Sequence, residues 1–370
     1  MSRKLLPVSI TAALLGGTAM AEVPNVAVDI APVHSLVARV MEGVGTPNLI
    51  VQPGASPHEY NLRPSEAAAL QDANLVFWVG EDLTPWMEGA IDTLSDGATV
   101  TALLEADGTT LLDFREGALF EAHDHGYDDH DDHGHDEHDE DKDHDHADHE
   151  DHDHGDEHAE GEGHDHKDEH GHDDHAEGDD HDHEDHEDHA GHDDHHGHDH
   201  GEHDPHAWLS PENASAWLNV IAAQLSAADP DNAGAYFANA AAAREEMAAL
   251  SAEVAATLDA VRGGNFIVFH DAYQYFENAF DFPASGAISI GDASDPSPAR
   301  IAEIQGRIRD EGIKCVLSEP QFNAGLVATV MEGTEANTAV IDPLGSDLEA
   351  GAALYPQVIR NIATNLAECL

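Results

Sequence analysis

Positive charge is scarce in this chain: 14 Lys and Arg stand against 76 Asp and Glu over 370 residues, a formal net charge of −62. Nothing here could neutralise a phosphate backbone, so a nucleic-acid partner is excluded. Cysteine is limited to Cys315 and Cys369. An even pair in an exported protein reads as one disulfide, with two buried thiols or a pair of zinc ligands as competing readings; their separation in sequence makes the ligand pair a poor fit. The one apolar run that could suggest a membrane span, over 5–17, is too short and too broken to cross a bilayer as a mature helix. Neither an H-E-x-x-H motif nor a G-x-S-x-G motif occurs, so the usual signatures of zinc and serine hydrolases are missing.

A different absence marks the middle of the chain. From His123 to His203 there is no Val, Ile, Leu, Met, Phe, Trp or Cys, and a segment without those residues has nothing from which to build a core. What it holds instead is 27 of the 31 histidines and 37 acidic residues, offset only by Lys142 and Lys167. This tract therefore accounts for −35 of the net charge and leaves −27 on the remainder. It reads as a disordered, metal-seeking insertion. Solubilisation alone would not need histidine, whose exposed imidazole is mostly neutral at pH 7 and suits zinc, copper or nickel. Pairs such as His123/His125, His152/His154 and His198/His200 put two imidazoles on one side of an extended chain, with carboxylates between them to attract cations. An expression tag would be a run of histidine, whereas here Asp and Glu are interleaved throughout. Each capture must order chain at roughly 1–2 kcal/mol per residue fixed, so binding in the tract is expected to be weak, multiple and exchangeable.

At the N-terminus, Arg3 and Lys4 precede the apolar stretch and Ala19-Met20-Ala21 supplies a small-x-small cleavage pattern. Residues 1–21 thus read as an export signal cleaved after Ala21, which places the mature chain in the periplasm. Without the signal and the tract, 268 residues remain, enough for two ordinary lobes.

Those residues alternate strand and helix patterns. The first half reads as strands over 24–30, 48–51 and 74–79 with helices over 35–42, 64–73 and 84–94, an order that argues for parallel strands covered by helices. After the tract a helix over 210–227 is followed by a far longer one over 229–261, rich in Ala, Glu and Leu and ended by Gly263-Gly264. The alternation then resumes, with strands over 265–270, 287–290, 314–317 and 338–341 and helices over 272–280, 298–310, 324–331 and 351–368. The expected organisation is an N-terminal α/β lobe over 22–228 that contains the tract, a linking helix over 229–262 acting as a strut, and a C-terminal α/β lobe over 263–370.

Four histidines lie outside the tract: His34, His58, His206 and His270. His58 follows the Pro53-Gly54 turn beyond a strand, His206 stands three residues past the tract, and His270 ends the apolar strand Phe266-Ile267-Val268-Phe269; Asp342 similarly ends the strand over 338–341. Ligands gather at the carboxyl ends of strands in open parallel sheets, so His58, His206, His270 and Asp342 point to one crevice. Each has a plainer reading taken singly. A lone strand-end histidine is more often a hydrogen-bonded surface residue, and an Asp before Pro is often a turn former. His34, in a helix start, fits that plainer reading.

Several ordered motifs then narrow the choice. Residues 51–64, built around Ser56-Pro57-His58-Glu59-Tyr60, and the segments Asp204-Pro205-His206-Ala207-Trp208-Leu209, Phe269-His270-Asp271-Ala272-Tyr273, Ser318-Glu319-Pro320-Gln321-Phe322 and Ile341-Asp342-Pro343-Leu344-Gly345 resemble the periplasmic zinc-binding receptors of zinc ABC importers, the ZnuA-like members of the cluster A-I metal-binding proteins. The resemblance covers nearly the whole mature chain, and a His-rich charged loop before the second metal histidine is part of it. It implies two lobes with four-stranded, mainly parallel sheets joined by one rigid helix, and Zn2+ held between them on His58, His206 and His270. It also implies a disulfide between Cys315 and Cys369. Manganese members complete their site with two carboxylates, the last of which Asp342 matches; zinc members leave the fourth position to a carboxylate or a water. Some zinc members carry an acidic residue just before the first histidine, where this chain has Pro57. Asp342 or water is then the remaining choice.

The implied function is capture of Zn2+ in the periplasm and delivery to an inner-membrane ABC permease driven by a cytoplasmic ATPase, with weaker accessory binding in the tract, periplasmic zinc chaperones as a further class of partner, and a monomeric state. Three neutral imidazoles favour zinc over manganese, which prefers oxygen. The alternatives are a periplasmic zinc buffer without a permease and a zinc hydrolase using Asp342 or Glu59 as base; an enzyme is not expected.

Overall fold

The computed structural model describes residues 23–115, 120, 203–289 and 296–370. The export signal and nearly all of the tract lie outside the described residues. His203, read above as the last residue of the disordered tract, lies within them and forms an antiparallel bridge with Asp113.

Two four-stranded sheets are present among the described residues, and every pairing within them is parallel. The first contains β1 (Val26–Val28), β2 (Asn48–Leu49), β3 (Leu75–Trp78) and β4 (Thr99–Ala102), in the order β2-β1-β3-β4. It is flanked by α1 (Ala31–Val40), α2 (Pro64–Gln71), α3 (Pro85–Leu94) and α4 (Pro211–Ala228). The second contains β5 (Phe266–His270), β6 (Ala287–Ser289), β7 (Cys315–Ser318) and β8 (Asn337–Val340), in the order β6-β5-β7-β8, with α6 (Gln274–Phe280), α7 (Pro298–Asp310), α8 (Ala324–Met331) and α9 (Leu354–Cys369). Between the two runs α5 (Ala233–Asp259) covers about 40 Å at 1.5 Å per residue.

Local chemistry sets these boundaries. Proline occupies the first turn of α1, α2, α3, α4 and α7, where its missing N–H has no intrahelical partner to lose. Ser210 and Ser297 accept from the amides of Asn213 and Arg300 and so cap α4 and α7. The long helix starts later than the reading of 229 as its first residue. Asp229 is buried and accepts from Asn232 Nδ2 at 2.7 Å and the Tyr236 hydroxyl at 2.9 Å, which fixes a 3-10 turn over Pro230–Asn232 ahead of α5. Strand β4 has no counterpart in the sequence reading; Thr99 and Val100 are exposed on the sheet edge, and no apolar run announces it.

Helix α5 buries Tyr236, Ala240, Ala243, Met247, Leu250, Val254 and Leu258, a spacing of three or four that makes one continuous stripe. It packs on α4, α1 and α9, and residues from both sheets share a single apolar cluster with it. Arginine forks add to this seam, Arg39 to Glu246 and Arg360 to Glu253. Trp208 Nε1 donates to Pro343 O at 2.9 Å, and the Tyr355 hydroxyl donates to Trp208 O at 2.8 Å. Cys315 and Cys369 form a disulfide that ties β7 to the end of α9. Among the described residues no helix is long and apolar enough to cross a membrane.

Candidate metal centre

His58, His206 and His270 line one pocket, together with Ser56, Pro57, Trp208, Glu319, Gln321, Phe322 and Pro343–Leu344. The His206 ring lies between the other two, with centres 5.8 Å from His58 and 5.3 Å from His270. His34 lies elsewhere. It is buried in α1, its Nε2 is 3.1 Å from Pro47 O, and burial pushes its pKa down.

Each imidazole is placed by its own element. Gly54 takes φ +83° in the turn after β2, a conformation that suits glycine. The loop then packs on α3 and α2: Trp86 Nε1 donates to Pro57 O at 2.7 Å, and the Tyr60 hydroxyl donates to Glu66 at 2.9 Å. His58 is half-buried at its tip. His206 is buried, and Asp204 Oδ1 accepts from its backbone amide at 2.9 Å while standing 2.7 Å from its Nδ1. His270 is the buried last residue of β5, with Nδ1 2.7 Å from Oε1 of Glu319, the residue immediately after β7.

A carboxylate on Nδ1 fixes the ring orientation and leaves the lone pair on Nε2, the arrangement that metal-ligating histidines use. Burial pushes the Asp204 carboxyl up to about 7, against the pull of the His206 amide, Arg115 and His270. Glu319 is likewise raised by burial, with His270 opposing the shift. A cation near either ring favours the ionised carboxylate. These two acids are the site residues that the sequence reading did not single out as functional; their signal is an acid two residues before His206 and another at a strand's carboxyl end.

Asp342 stands two residues after β8, beside the pocket wall that Pro343 and Leu344 form. Its Oδ1 accepts from Gln321 Nε2 at 2.9 Å and Leu344 N at 3.0 Å; its Oδ2 accepts from Ser346 N at 2.6 Å and from the Ser346 hydroxyl. Gln321 Oε1 is buried without a hydrogen-bond partner among the described residues. Among those residues no group of three or more His, Cys, Asp or Glu forms a ready-made metal cage. The ring spacing nevertheless fits one ion, because two imidazoles on a tetrahedral zinc at about 2.0–2.1 Å have ring centres roughly 5 Å apart.

The profile of the family described as zinc-uptake complex component A, periplasmic, ZnuA, matches residues 26–369. The chain belongs to the ZnuA family. Two high-affinity zinc uptake system proteins ZnuA are similar along nearly all of it. The one from Brucella abortus is 43% identical over 359 residues, covering 97% of this chain and 95% of the relative. The one from Paracoccus denitrificans is 44% identical over 365 residues, covering 98% and 97%. Among solved structures, a crystal structure of ZnuA is similar with TM-score 0.63 and 19% identity, covering 94% of this chain and 99% of its own. The binding protein FpvC of Pseudomonas aeruginosa, in complex with Mn2+, is similar with TM-score 0.65 and 16% identity, covering 94% and 98%. At those identities the structural likeness concerns the fold: the ZnuA-family architecture of two parallel sheets backed by a long helix is the one described above.

Proposed function

We propose that this protein captures Zn2+ in the periplasm and delivers it to an inner-membrane ABC permease powered by a cytoplasmic ATPase, with His58, His206 and His270 as the ligands of one tight site. The carrying observation is the convergence of three imidazoles, two of them backed by carboxylates, at ring separations of 5.3 and 5.8 Å. An all-nitrogen set of this kind favours zinc over manganese. The fourth position goes to Asp342 or to a water. The four hydrogen bonds already on Asp342, and the Gln321 Oε1 in the wall with no partner among the described residues, favour the water, which would donate where Asp342 cannot.

Bound metal would join the loop of His58 and the segment of His206 to the end of β5. A permease can distinguish loaded from empty protein only through such a difference between the two states. The shared core behind the site keeps the change small. Acid weakens capture, since each imidazole must be neutral to coordinate.

We further propose that residues 1–21 direct export, that the chain acts as a monomer, that zinc chaperones are further partners, and that the tract over 123–203 binds additional zinc weakly. Tethered three residues from His206, the tract would present metal at millimolar effective concentration or above, on the order expected for a short linker. Zinc titration of a chain lacking 123–203 tests the main claim: one tight site is expected to survive, and its disappearance would move that site into the tract. Import assays with the same deletion at limiting zinc separate a shuttle, which slows uptake only when metal is scarce, from a buffer or sensor.

A further inference from the structure

Helix α6 begins four residues after His270, and its first two side chains reach the segment that carries His206. The Tyr275 hydroxyl accepts from Leu112 N at 3.0 Å and donates to Asp204 O at 2.9 Å. The Gln274 amide, oriented with its nitrogen as donor, lies 3.1 Å from Asp204 Oδ2 and 3.2 Å from Asp113 O. The other oxygen of Asp204 is the one that holds His206. Two adjacent residues of α6 therefore make two rungs, each joining the strap over 110–115 to the residue that orients a candidate metal ligand.

Arg115 adds a further tie from the same strap. Its guanidinium donates to Asp271 through Nε at 3.0 Å and through Nη2, and to Glu277 through Nη1 at 2.8 Å and Nη2 at 3.0 Å. Both acceptors are buried, and Asp271 directly follows His270. The strap is also bound to α4, because Thr110 N donates to Asn213 Oδ1 at 2.8 Å and Asn213 Nδ2 donates to Thr110 O at 3.1 Å. One short segment is thus fixed to α4 at one end and, at the other, to Asp271 and to the first four residues of α6.

We infer that Gln274, Tyr275 and Arg115 are positioning residues for metal capture: they set the register between His206 and His270 without touching the ion. The inference rests on the zinc reading given above. Imidazoles on one ion must be held to within about 0.5 Å of the productive geometry, and loss of such an outer support costs on the order of 10-fold to 100-fold in metal affinity. Mere fold glue would behave differently, lowering stability while leaving the metal's surroundings unchanged.

The test compares Tyr275→Phe, Gln274→Met and Arg115→Gln with Arg360→Gln, which breaks a similar two-pronged fork between α9 and α5. Three quantities are measured on the full mature chain: the unfolding midpoint without metal, zinc affinity by competition with a chromophoric chelator, and the visible absorption bands of the Co2+-loaded protein. Tyr275→Phe and Gln274→Met are expected to lose about 10-fold in zinc affinity and to change the Co2+ bands, while Arg360→Gln lowers only the midpoint. If Tyr275→Phe and Gln274→Met keep wild-type affinity and bands, the inference is overturned; should Arg115→Gln fail to fold, those two variants still decide it. His206→Ala and His270→Ala separate the two levels of argument. Tight binding that persists in both sinks the zinc reading itself, whereas its loss there with wild-type behaviour in Tyr275→Phe sinks only the positioning role.

Discussion

In the first sheet β2 ends nine residues before His58, whereas in the second β5 ends on His270 itself. The two sheets have equivalent strand orders, yet they present their histidines in opposite ways. His270 is buried, backed by Glu319 just past the end of the neighbouring strand and flanked by Phe322, whose ring centre lies 5.1 Å away. His58 is half-buried at the end of a loop held by Trp86 and Tyr60. Covalent reinforcement is also one-sided among the described residues, since the disulfide joins β7 to α9. In the first sheet, strand ends are tied by a buried acid instead: Asp29 accepts from Ile30 N at 2.7 Å and Val79 N at 2.6 Å, and burial raises it to about 7. In the candidate site the second sheet contributes a preformed imidazole, buried and backed by a carboxylate, and the first contributes a half-buried one on a loop.

The comparison breaks most directly at the imidazoles. His270→Ala and His206→Ala should abolish tight zinc binding, while His58→Ala should retain a weakened site and His34→Ala should bind as wild type; calorimetric titration of the four variants ranks them, and equal losses would contradict the assignment. Next in size is the disulfide. Its 54-residue separation corresponds to about 4 kcal/mol on the chain-entropy treatment, so Cys315→Ser/Cys369→Ser should lower denaturant stability by that order while zinc still binds. Removing the carboxylate behind the preformed imidazole should be milder. Glu319→Gln is expected to cost about 10-fold to 100-fold in affinity, and an unchanged value would mean that packing alone orients His270. The smallest effect belongs to Arg360→Gln on α9, which removes the solvent-exposed fork to Glu253 of α5; exposed pairs of this kind contribute little, and a fall in the unfolding midpoint as large as that of the disulfide variant would make that seam more than a surface contact.

Much of this architecture could be read from sequence because it rests on local signals. Helices α7 and α8 fall where Pro298 and the apolar spacing of 324–331 place them, and β5 is legible as a run of Phe, Ile and Val ending on His270. Edge strand β4 escaped because Thr99-Val100-Thr101-Ala102 is covered on neither face by enough apolar residues to show a period. The start of α5 was placed too early because Asp229-Pro230 reads as a helix start, and the pull of Tyr236 and Asn232 on Asp229 is tertiary information. The site divides along the same line. The positions of His58, His206, His270 and Asp342 in the strand and helix pattern pointed to the candidate site, and Asp204 was legible as an acid two residues before His206, whereas the pairing of Glu319 with His270 and the bond from Gln321 to Asp342 depend on segments that meet only in the folded chain.

The bridge between Asp113 and His203 has a consequence for how such a chain can change over generations. The bridge sets Asp113 and His203 side by side although they are far apart in sequence, and Leu112 O accepts from Asp204 N at 2.8 Å next to it, so a duplication or deletion within 121–202 leaves both Leu112 and its partner, the Tyr275 hydroxyl, where they are. The number of histidines in that stretch is therefore free to drift without renegotiating the packing around Asp204.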